Sequence, residues 1–276
     1  METLYNVPAK SITTYGGKGV VKEILLPATA NEVADIFKSQ GDIHILGGGS
    51  NTLIPDGVVY DKVVSFKKLN KVEIDDNIVR VGAGAYAYKV VKKTRQHGLG
   101  GIEFMLGVPA TIGGMVRMNA GAFGQQIGVY IDKIVTLNPD CELTEIYPPF
   151  NFGYRKGFQG VVIEVSLRLE RMTESRSIAL ENEFRAYRRL HQPKGRSTGS
   201  VFRNDERSAG YYIDRVGLKG TRKGGAEISR LHGNFILNID DGTAEDFLYL
   251  ASLAQARVYE EFGVQLKKEF ILLGEI

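Results

Sequence analysis

Val72-Glu73-Ile74-Asp75-Asp76-Asn77-Ile78-Val79-Arg80-Val81-Gly82-Ala83-Gly84-Ala85-Tyr86-Ala87 is the stretch on which the fold turns. Two short runs of alternating apolar residues flank Asp75-Asp76-Asn77, a cluster of turn formers, so residues 72–81 are expected to form an antiparallel hairpin. Gly82 and Gly84 then lead into a helix over Ala85 to His97, with Gly98 suited to its C-terminal cap. Glu103 follows about twenty residues on, which is the spacing of a dinucleotide-binding βαβ unit. A hairpin is the wrong start for that unit, and no series of alternating strands and helices follows. The pattern is α+β.

Upstream, Val20 to Leu26 reads as a strand, and Thr29-Ala30-Asn31-Glu32 is a capping box opening a helix with Val33, Ile36 and Phe37 on one face. A short buried strand over Ile43 to Leu46 runs into Gly47-Gly48-Gly49-Ser50-Asn51. Downstream, Glu164, Ser166, Arg168 and Glu170 alternate with Ile163, Val165, Leu167 and Leu169, the period of a half-buried strand. A domain edge is expected near Arg171. A basic amphipathic segment from about Ile178 to His191 leads into the loop Gly195 to Ser200. A long helix over Ala244 to Phe262 is closed by Gly263.

Composition narrows the functional classes. The 276 residues suffice for a sizeable core, and the single cysteine, Cys141, excludes an internal disulfide framework and fits a reducing compartment such as the cytoplasm. The four histidines show no close metal-ligand spacing, so no metal is expected. Met1 to Lys10 lacks a charged-then-apolar leader pattern, and no run reaches the roughly 18 apolar residues of a membrane span. A net charge of +3 demands no polyanionic partner. The basic residues do concentrate at Arg185, Arg188, Arg189, Lys194, Arg196, Arg203 and Arg207, a stretch that either meets phosphates or is a solvated helix face and loop.

Three glycine-rich runs are candidates for ligand contact, because glycine lets backbone N–H groups approach an anion or a flat ring closely. They are Gly47 to Asn51, Gly82 to Ala87, and Gly107-Val108-Pro109-Ala110-Thr111-Ile112-Gly113-Gly114 continuing to Met118-Asn119-Ala120-Gly121-Ala122-Phe123-Gly124. Each also has a bland reading as a tight turn or a loop packed on a sheet. The length of the third favours a ligand.

The order of the motifs is more specific than any one of them. Leu46-Gly47-Gly48-Gly49-Ser50-Asn51, Gly101-Ile102-Glu103-Phe104, Gly107-Val108-Pro109, Met118-Asn119-Ala120-Gly121, Tyr154-Arg155, Gly199-Ser200-Val201-Phe202 with Asn204, and Leu266-Lys267-Lys268-Glu269 together resemble the UDP-N-acetylenolpyruvoylglucosamine reductase (MurB) family. Gly224-Gly225-Ala226-Glu227 and Asn234-Phe235 are similar to a further family segment. The likeness runs from Tyr15 to Gly274, and the chain resembles the shorter, type II branch.

The resemblance implies a two-lobed FAD-binding unit of the vanillyl-alcohol-oxidase-like (PCMH-type) class over residues 1–170, with lobes of about 1–65 and 66–170. It implies an α+β substrate-binding domain over 171–264 and a C-terminal segment, 265–276, returning to the active site. FAD would be held by Leu46, Gly47, Gly48, Gly49, Ser50, Asn51, Gly82, Gly84, Gly107, Val108, Pro109, Thr111, Gly113, Gly114, Asn119, Ala120 and Gly121. The implied activity is NADPH-dependent reduction of UDP-N-acetylglucosamine enolpyruvate in peptidoglycan precursor synthesis. Arg155 would hold the substrate carboxylate, Glu269 would assist the enolate, and Ser200 would donate the proton. Tyr154, Lys194, Arg203 and Asn204 are the implied contacts to the nucleotide sugar. The expected protein is a cytoplasmic monomer that binds neither nucleic acid nor membrane.

Three positions depart from the family pattern. Asp205 stands where proline often follows the asparagine, Gly157 where serine is common, and Lys267 where an acid usually precedes Glu269. Two alternatives follow: an FAD enzyme of this fold with another substrate, and a non-enzymatic nucleotide-sugar or nucleic-acid-binding protein.

Overall fold

The structure is a computed structural model that describes residues 1–40 and 43–275. The chain forms two compact units, one of Met1–Thr3, Ile24–Gly48 and Val63–Arg188, the other of Leu4–Glu23, Gly49–Lys62 and Arg189–Ile276. Contacts thus group Leu4–Glu23 and Gly49–Lys62 with the C-terminal third.

The first unit is built on a five-stranded antiparallel sheet in the order Leu143–Ile146, Ile131–Leu137, Glu164–Arg168, Ile78–Gly82, Val72–Asp75. The expected hairpin is its edge: Val72 pairs with Val81 and Asp75 with Ile78, and Asp76 takes the left-handed conformation (φ 52°) at the turn. Since the strand before Gly82 is antiparallel to both neighbours, a parallel βαβ start is ruled out. Glu103, the residue at dinucleotide spacing, is buried and accepts from Gly101 N–H and Ser177 Oγ, both at 2.8 Å.

Glu164–Arg168 is more deeply placed than its alternation suggests. It lies between two strands, and Ser166 is as buried as Val165 and Leu167. The helix Ala87–Gln96 ends at His97, with Gly98 (φ 68°) following, and buries Ala87, Val90, Val91 and Thr94. Ala87, Val90 and Val91 join one core with Val79, Val81, Leu99, Ile112, Val165 and Leu167. His44–Ile45 pairs in parallel with Val63–Val64 and carries the chain into the first glycine run.

The second unit packs a three-stranded antiparallel sheet, Arg222–Lys223, Ala226–Ile228 and Ile236–Asn238, with the helix Ala244–Phe262. That helix buries Phe247, Leu250, Ala251, Ala254 and Val258, the spacing of one helical face. Each large apolar side chain fully removed from water contributes about 1.5–3 kcal/mol. Its N-terminus is a capping box: Thr243 Oγ1 accepts from Asp246 N–H at 3.0 Å and Asp246 Oδ2 from Thr243 N–H at 3.1 Å. Gly263 (φ 66°) closes the other end.

Thr243→Ala is expected to lower stability by about 1 kcal/mol, read as a shift of the denaturation midpoint at unchanged slope. The box also sets an acid limit. Partial burial of Asp246 opposes its charge, but the N–H and side chain of Thr243, Gly225 N–H and Lys223 outweigh it and hold the carboxyl below its ordinary value. A depressed folded pKa stabilises the fold above the unfolded value, about 3.9 for aspartate, and that contribution is lost as pH falls through the folded pKa.

Candidate active site

In the first unit the start of the first glycine run, Gly47 and Gly48, meets the second and third runs. A Cβ on Gly48 would lie 2.8 Å from Pro109 O, and one on Gly47 would lie 3.0 Å from Thr111 Oγ1. Gly113 N–H donates to Ala83 O at 2.8 Å, Ile112 N–H to Ala85 O at 2.9 Å, and Ala87 N–H to Ala110 O at 3.0 Å. Gly84 N–H donates to Leu69 O at 2.8 Å, and a Cβ there would stand 1.6 Å from Phe66 O. Leu46, Gly47, Gly48, Gly82, Gly84, Thr111, Gly113 and Gly114 therefore belong to one backbone-rich cluster. Gly107 (φ 82°), Val108 and Pro109 form the approach to it.

The third run continues through the helix Ile112–Met118 to Asn119, which is left-handed (φ 43°) and 1% exposed. Ala120 and Gly121 follow, and Gly121 O accepts from Arg155 Nη1 at 3.0 Å. Arg155 sits at the tip of a tight turn closed by reciprocal bonds between Gly153 and Lys156, of 2.8 and 3.1 Å. Its guanidinium carbon lies 5.1 Å from the centre of the half-exposed Tyr154 ring. Arg155 is thus tied to the glycine-rich loop through Gly121, with Tyr154 beside it.

Gly157 explains one departure from the family pattern. Its N–H donates to Arg117 O at 3.2 Å, and a Cβ would fall 1.8 Å from Val116 O, so the turn carrying Arg155 lies edge-on against the helix end. Gly157→Ser is expected to destabilise by about 1–3 kcal/mol through overpacking, checked by thermal melts of the holoprotein; an unchanged melt would refute this close approach.

In the second unit Gly199 (φ 80°) turns the chain so that Ser200 bridges Phe235 across an antiparallel contact. The next residue, Val201, accepts from Glu269 N–H at 2.8 Å, and Arg203 N–H donates to Lys267 O at 2.9 Å. Asn51 completes the arrangement: its Nδ2 donates to Glu269 O at 2.9 Å and its own carbonyl accepts from Ile271 N–H at 2.9 Å. Ser200 and Glu269, 69 positions apart in sequence, therefore lie on neighbouring extended segments tied to Asn51. Gly49 (φ 67°) and Ser50 precede Asn51 in the same unit, and a Cβ on Gly49 would lie 2.0 Å from Ile12 O.

Asn234 is a residue that sequence reasoning listed only as part of a motif. It is 2% exposed and brackets the serine segment: its Oδ1 accepts from Phe202 N–H at 2.9 Å, its Nδ2 donates to Phe202 O at 2.8 Å, and its carbonyl accepts from Val201 N–H at 2.9 Å. A buried asparagine serving both backbone groups of one residue has no local sequence signal.

Of the expected nucleotide-sugar contacts, Lys194 and Asn204 are exposed and Arg203 is half-buried. Asn204 Oδ1 accepts from Ala209 N–H at 3.1 Å, helping to start the helix Ala209–Arg215. Asp205 N–H donates to Arg207 O at 3.2 Å, a bond that proline could not make. Lys267 is exposed and contributes its carbonyl to the pairing, so its altered side chain leaves that pairing intact.

Several residues of the basic stretch have partners within the chain. Arg185 pairs with Glu181, Arg196 donates to Lys10 O, and Arg207 lies over the Tyr211 ring. Arg188 belongs to the first unit, where its guanidinium carbon is 5.1 Å from the Phe123 ring centre and Nη2 donates to Phe104 O at 3.1 Å. Burial lowers its pKa, although the group stays cationic at neutral pH. Phe184, four residues earlier on the helix Glu174–His191, stacks on Phe123 at 4.2 Å. The Phe184–Arg188 spacing was readable as one helix face, but its partner on the glycine-rich loop was not. Among the described residues no cluster of histidine, cysteine or acid fits a metal ion, and no helix is long and apolar enough to cross a membrane.

Comparison with known proteins bears on both units. Residues 21–145 match a model described as an FAD binding domain, and residues 191–273 match one described as UDP-N-acetylenolpyruvoylglucosamine reductase, C-terminal domain. The chain is 34% identical to UDP-N-acetylenolpyruvoylglucosamine reductase 2 of Bacillus cereus, over 94% of this chain and 88% of that one. It is 33% identical to UDP-N-acetylenolpyruvoylglucosamine reductase of Caldicellulosiruptor bescii, over 100% and 92% of the two chains. The crystal structure of UDP-N-acetylenolpyruvylglucosamine reductase (MurB) from Thermus caldophilus superimposes with a TM-score of 0.85 at 32% identity, covering 99% of this chain and 98% of that one.

Proposed function

The chain belongs to the UDP-N-acetylenolpyruvoylglucosamine reductase family and is an FAD-dependent oxidoreductase of peptidoglycan precursor synthesis; from that premise we propose which residues carry its reaction. The substrate's enolpyruvyl ether is reduced to the lactyl ether of UDP-N-acetylmuramate. FAD, reduced by NADPH, supplies the hydride that adds to the methylene carbon. The protein must hold the carboxylate, accept charge at the neighbouring carbon and its carboxyl oxygens, and deliver a proton there.

We assign the carboxylate to Arg155, whose permanently charged, planar fork can donate two N–H groups to it and draw off the developing enolate charge. Its attachment to the Asn119–Gly121 loop supports this reading. Ser200 donates the proton to the carbanion, a transfer that is strongly downhill and within the reach of a positioned hydroxyl. Glu269 assists either as a neutral acid or through a water, since a bare carboxylate would repel the enolate. The observation that carries the assignment is the hydrogen bond from Glu269 N–H to Val201 O, which brings the serine and glutamate segments together.

The glycine-rich cluster of the first unit holds FAD, a reading that its density of residues without side chains supports, and Tyr154, Lys194, Arg203 and Asn204 contact the nucleotide sugar. Residues 1–170 form the FAD-binding segment, 171–264 the substrate-binding segment, and 265–276 return Glu269 to the reacting centre. We place the protein in the cytoplasm as a monomer, in keeping with its single cysteine.

Anaerobic stopped-flow absorbance tests the reading. NADPH is expected to bleach the flavin's visible band, and UDP-N-acetylglucosamine enolpyruvate to restore it. A band that bleaches without returning would keep the flavin reductase and exclude this substrate; no band after addition of FAD would exclude the flavin.

A further inference from the structure

The resemblance implies Asn119 as a cofactor residue, and its N–H and side-chain amide are bonded within the protein. Its N–H donates to Val116 O at 3.2 Å, and its Oδ1 accepts from Gly128 N–H at 3.0 Å. Its Nδ2 donates to Gln126 Oε1 at 3.1 Å and to Gly153 O at 3.0 Å. At 1% exposure the side chain has both amide hydrogens and its oxygen engaged within the protein. Its left-handed backbone is one that asparagine adopts more readily than most residues.

The last of those bonds reaches the turn that carries Arg155. Gly153 and Lys156 close the turn on each other, and Arg155 at its tip is itself left-handed (φ 54°), a conformation arginine disfavours. The turn is held on its far side by Gly157 N–H to Arg117 O at 3.2 Å and Phe158 N–H to Val116 O at 3.1 Å. On its near side the side-chain anchors are the amide of Asn119 on Gly153 O and the guanidinium of Arg155 on Gly121 O, at 3.0 Å each. When a substrate carboxylate draws the guanidinium away from Gly121, the Asn119 bond still ties the turn to the loop.

We infer that Asn119 is a positioning residue for Arg155: its buried carboxamide locks the Gly153–Lys156 turn in the strained conformation that presents the guanidinium. This rests on the assignment of the substrate carboxylate to Arg155. Asn119 takes no part in the reaction itself. It determines how much of the time Arg155 is placed to act.

The test uses the holoenzyme and its two half-reactions. Asn119→Gly keeps the left-handed backbone without strain and deletes the anchor. FAD content and flavin reduction by NADPH are expected to stay near the parent's. Reoxidation by the enolpyruvyl substrate is expected to slow by about tenfold to a hundredfold, as for a misplaced catalytic group. In an Arg155→Ala background the same change should slow that step no further. If Asn119→Gly does not fold, Asn119→Asp, which has the same shape and keeps the acceptor for Gly128 but loses the amide donor, must show the same split. Loss of FAD or of the NADPH step in parallel with the substrate step would overturn the inference in favour of a cofactor or general structural role. So would additivity with Arg155→Ala. If Arg155→Ala itself leaves the substrate step unchanged, the carboxylate assignment fails, and the positioning role fails with it.

Discussion

Ser200→Ala is expected to slow reoxidation of the reduced flavin by the enolpyruvyl substrate by about 10²–10⁴-fold and to leave its reduction by NADPH at the parent rate. The size is that of removing a positioned general acid from a step that needs one proton at one carbon. The asymmetry follows from chemistry, because hydride transfer from NADPH to FAD does not call on that proton. The backbone around Ser200 is set by Gly199, Val201 and Asn234, and a single Oγ is deleted without disturbing those bonds. Stopped-flow traces of both half-reactions in solvent water and in deuterium oxide check it. An equal loss in the two half-reactions would mean that the serine supports the fold or the cofactor; no loss in either would return the proton to water.

Gly84→Ala is expected to be the most damaging single methyl group in the first unit. Its Cβ would lie 1.6 Å from Phe66 O, 2.4 Å from Phe66 C and 2.9 Å from Lys67 Cα, all backbone atoms that no rotamer change can move aside. Overpacking of that kind costs about 3 kcal/mol or more, which for a chain of this size lowers the apparent Tm by roughly 6–12 °C. Loss of FAD should accompany it, since Ala83 and Ala85, on either side of Gly84, are hydrogen-bonded to Gly113 and Ile112 of the third run. Gly124→Ala is the matched control. Gly124 has positive φ (76°) but nothing within 4 Å of its Cβ position, so only the backbone cost of about 1–2 kcal/mol applies. Equal melts for the two variants would show that crowding at Gly84 is not what requires the glycine.

Much of this protein was legible in the order of its residues. The hairpin around Asp76, the helices closed by Gly98 and Gly263, and the absence of a parallel βαβ start all follow from local rules of turn chemistry and side-chain period. The family could be read from seven short motifs in sequence order, and the matches over residues 21–145 and 191–273 agree with it. Where local patterns misled, a neighbour distant in sequence was the cause. Alternation around Ser166 predicts a half-exposed strand, yet strands on both sides bury it. The run of seven basic residues reads either as a phosphate-meeting stretch or as a solvated helix face and loop, and Arg185, Arg188, Arg196 and Arg207 of it have partners at Glu181, Phe123, the Lys10 carbonyl and Tyr211.

By itself, then, the sequence determined the α+β class, the chemistry of the candidate groups and the positions where only glycine fits a turn, because these depend on contacts between near neighbours in the chain. Only the tertiary structure decided that Asn119 bonds to the Arg155 turn, that Asn234 brackets the serine segment, and that the segments of Ser200 and Glu269 are neighbours. Those arrangements rest on hydrogen bonds between backbone groups and buried amides tens to hundreds of residues apart. The same Asn in the sequence is compatible with many partners, and the one it takes is set by which chain segments the two cores bring within 3 Å of it.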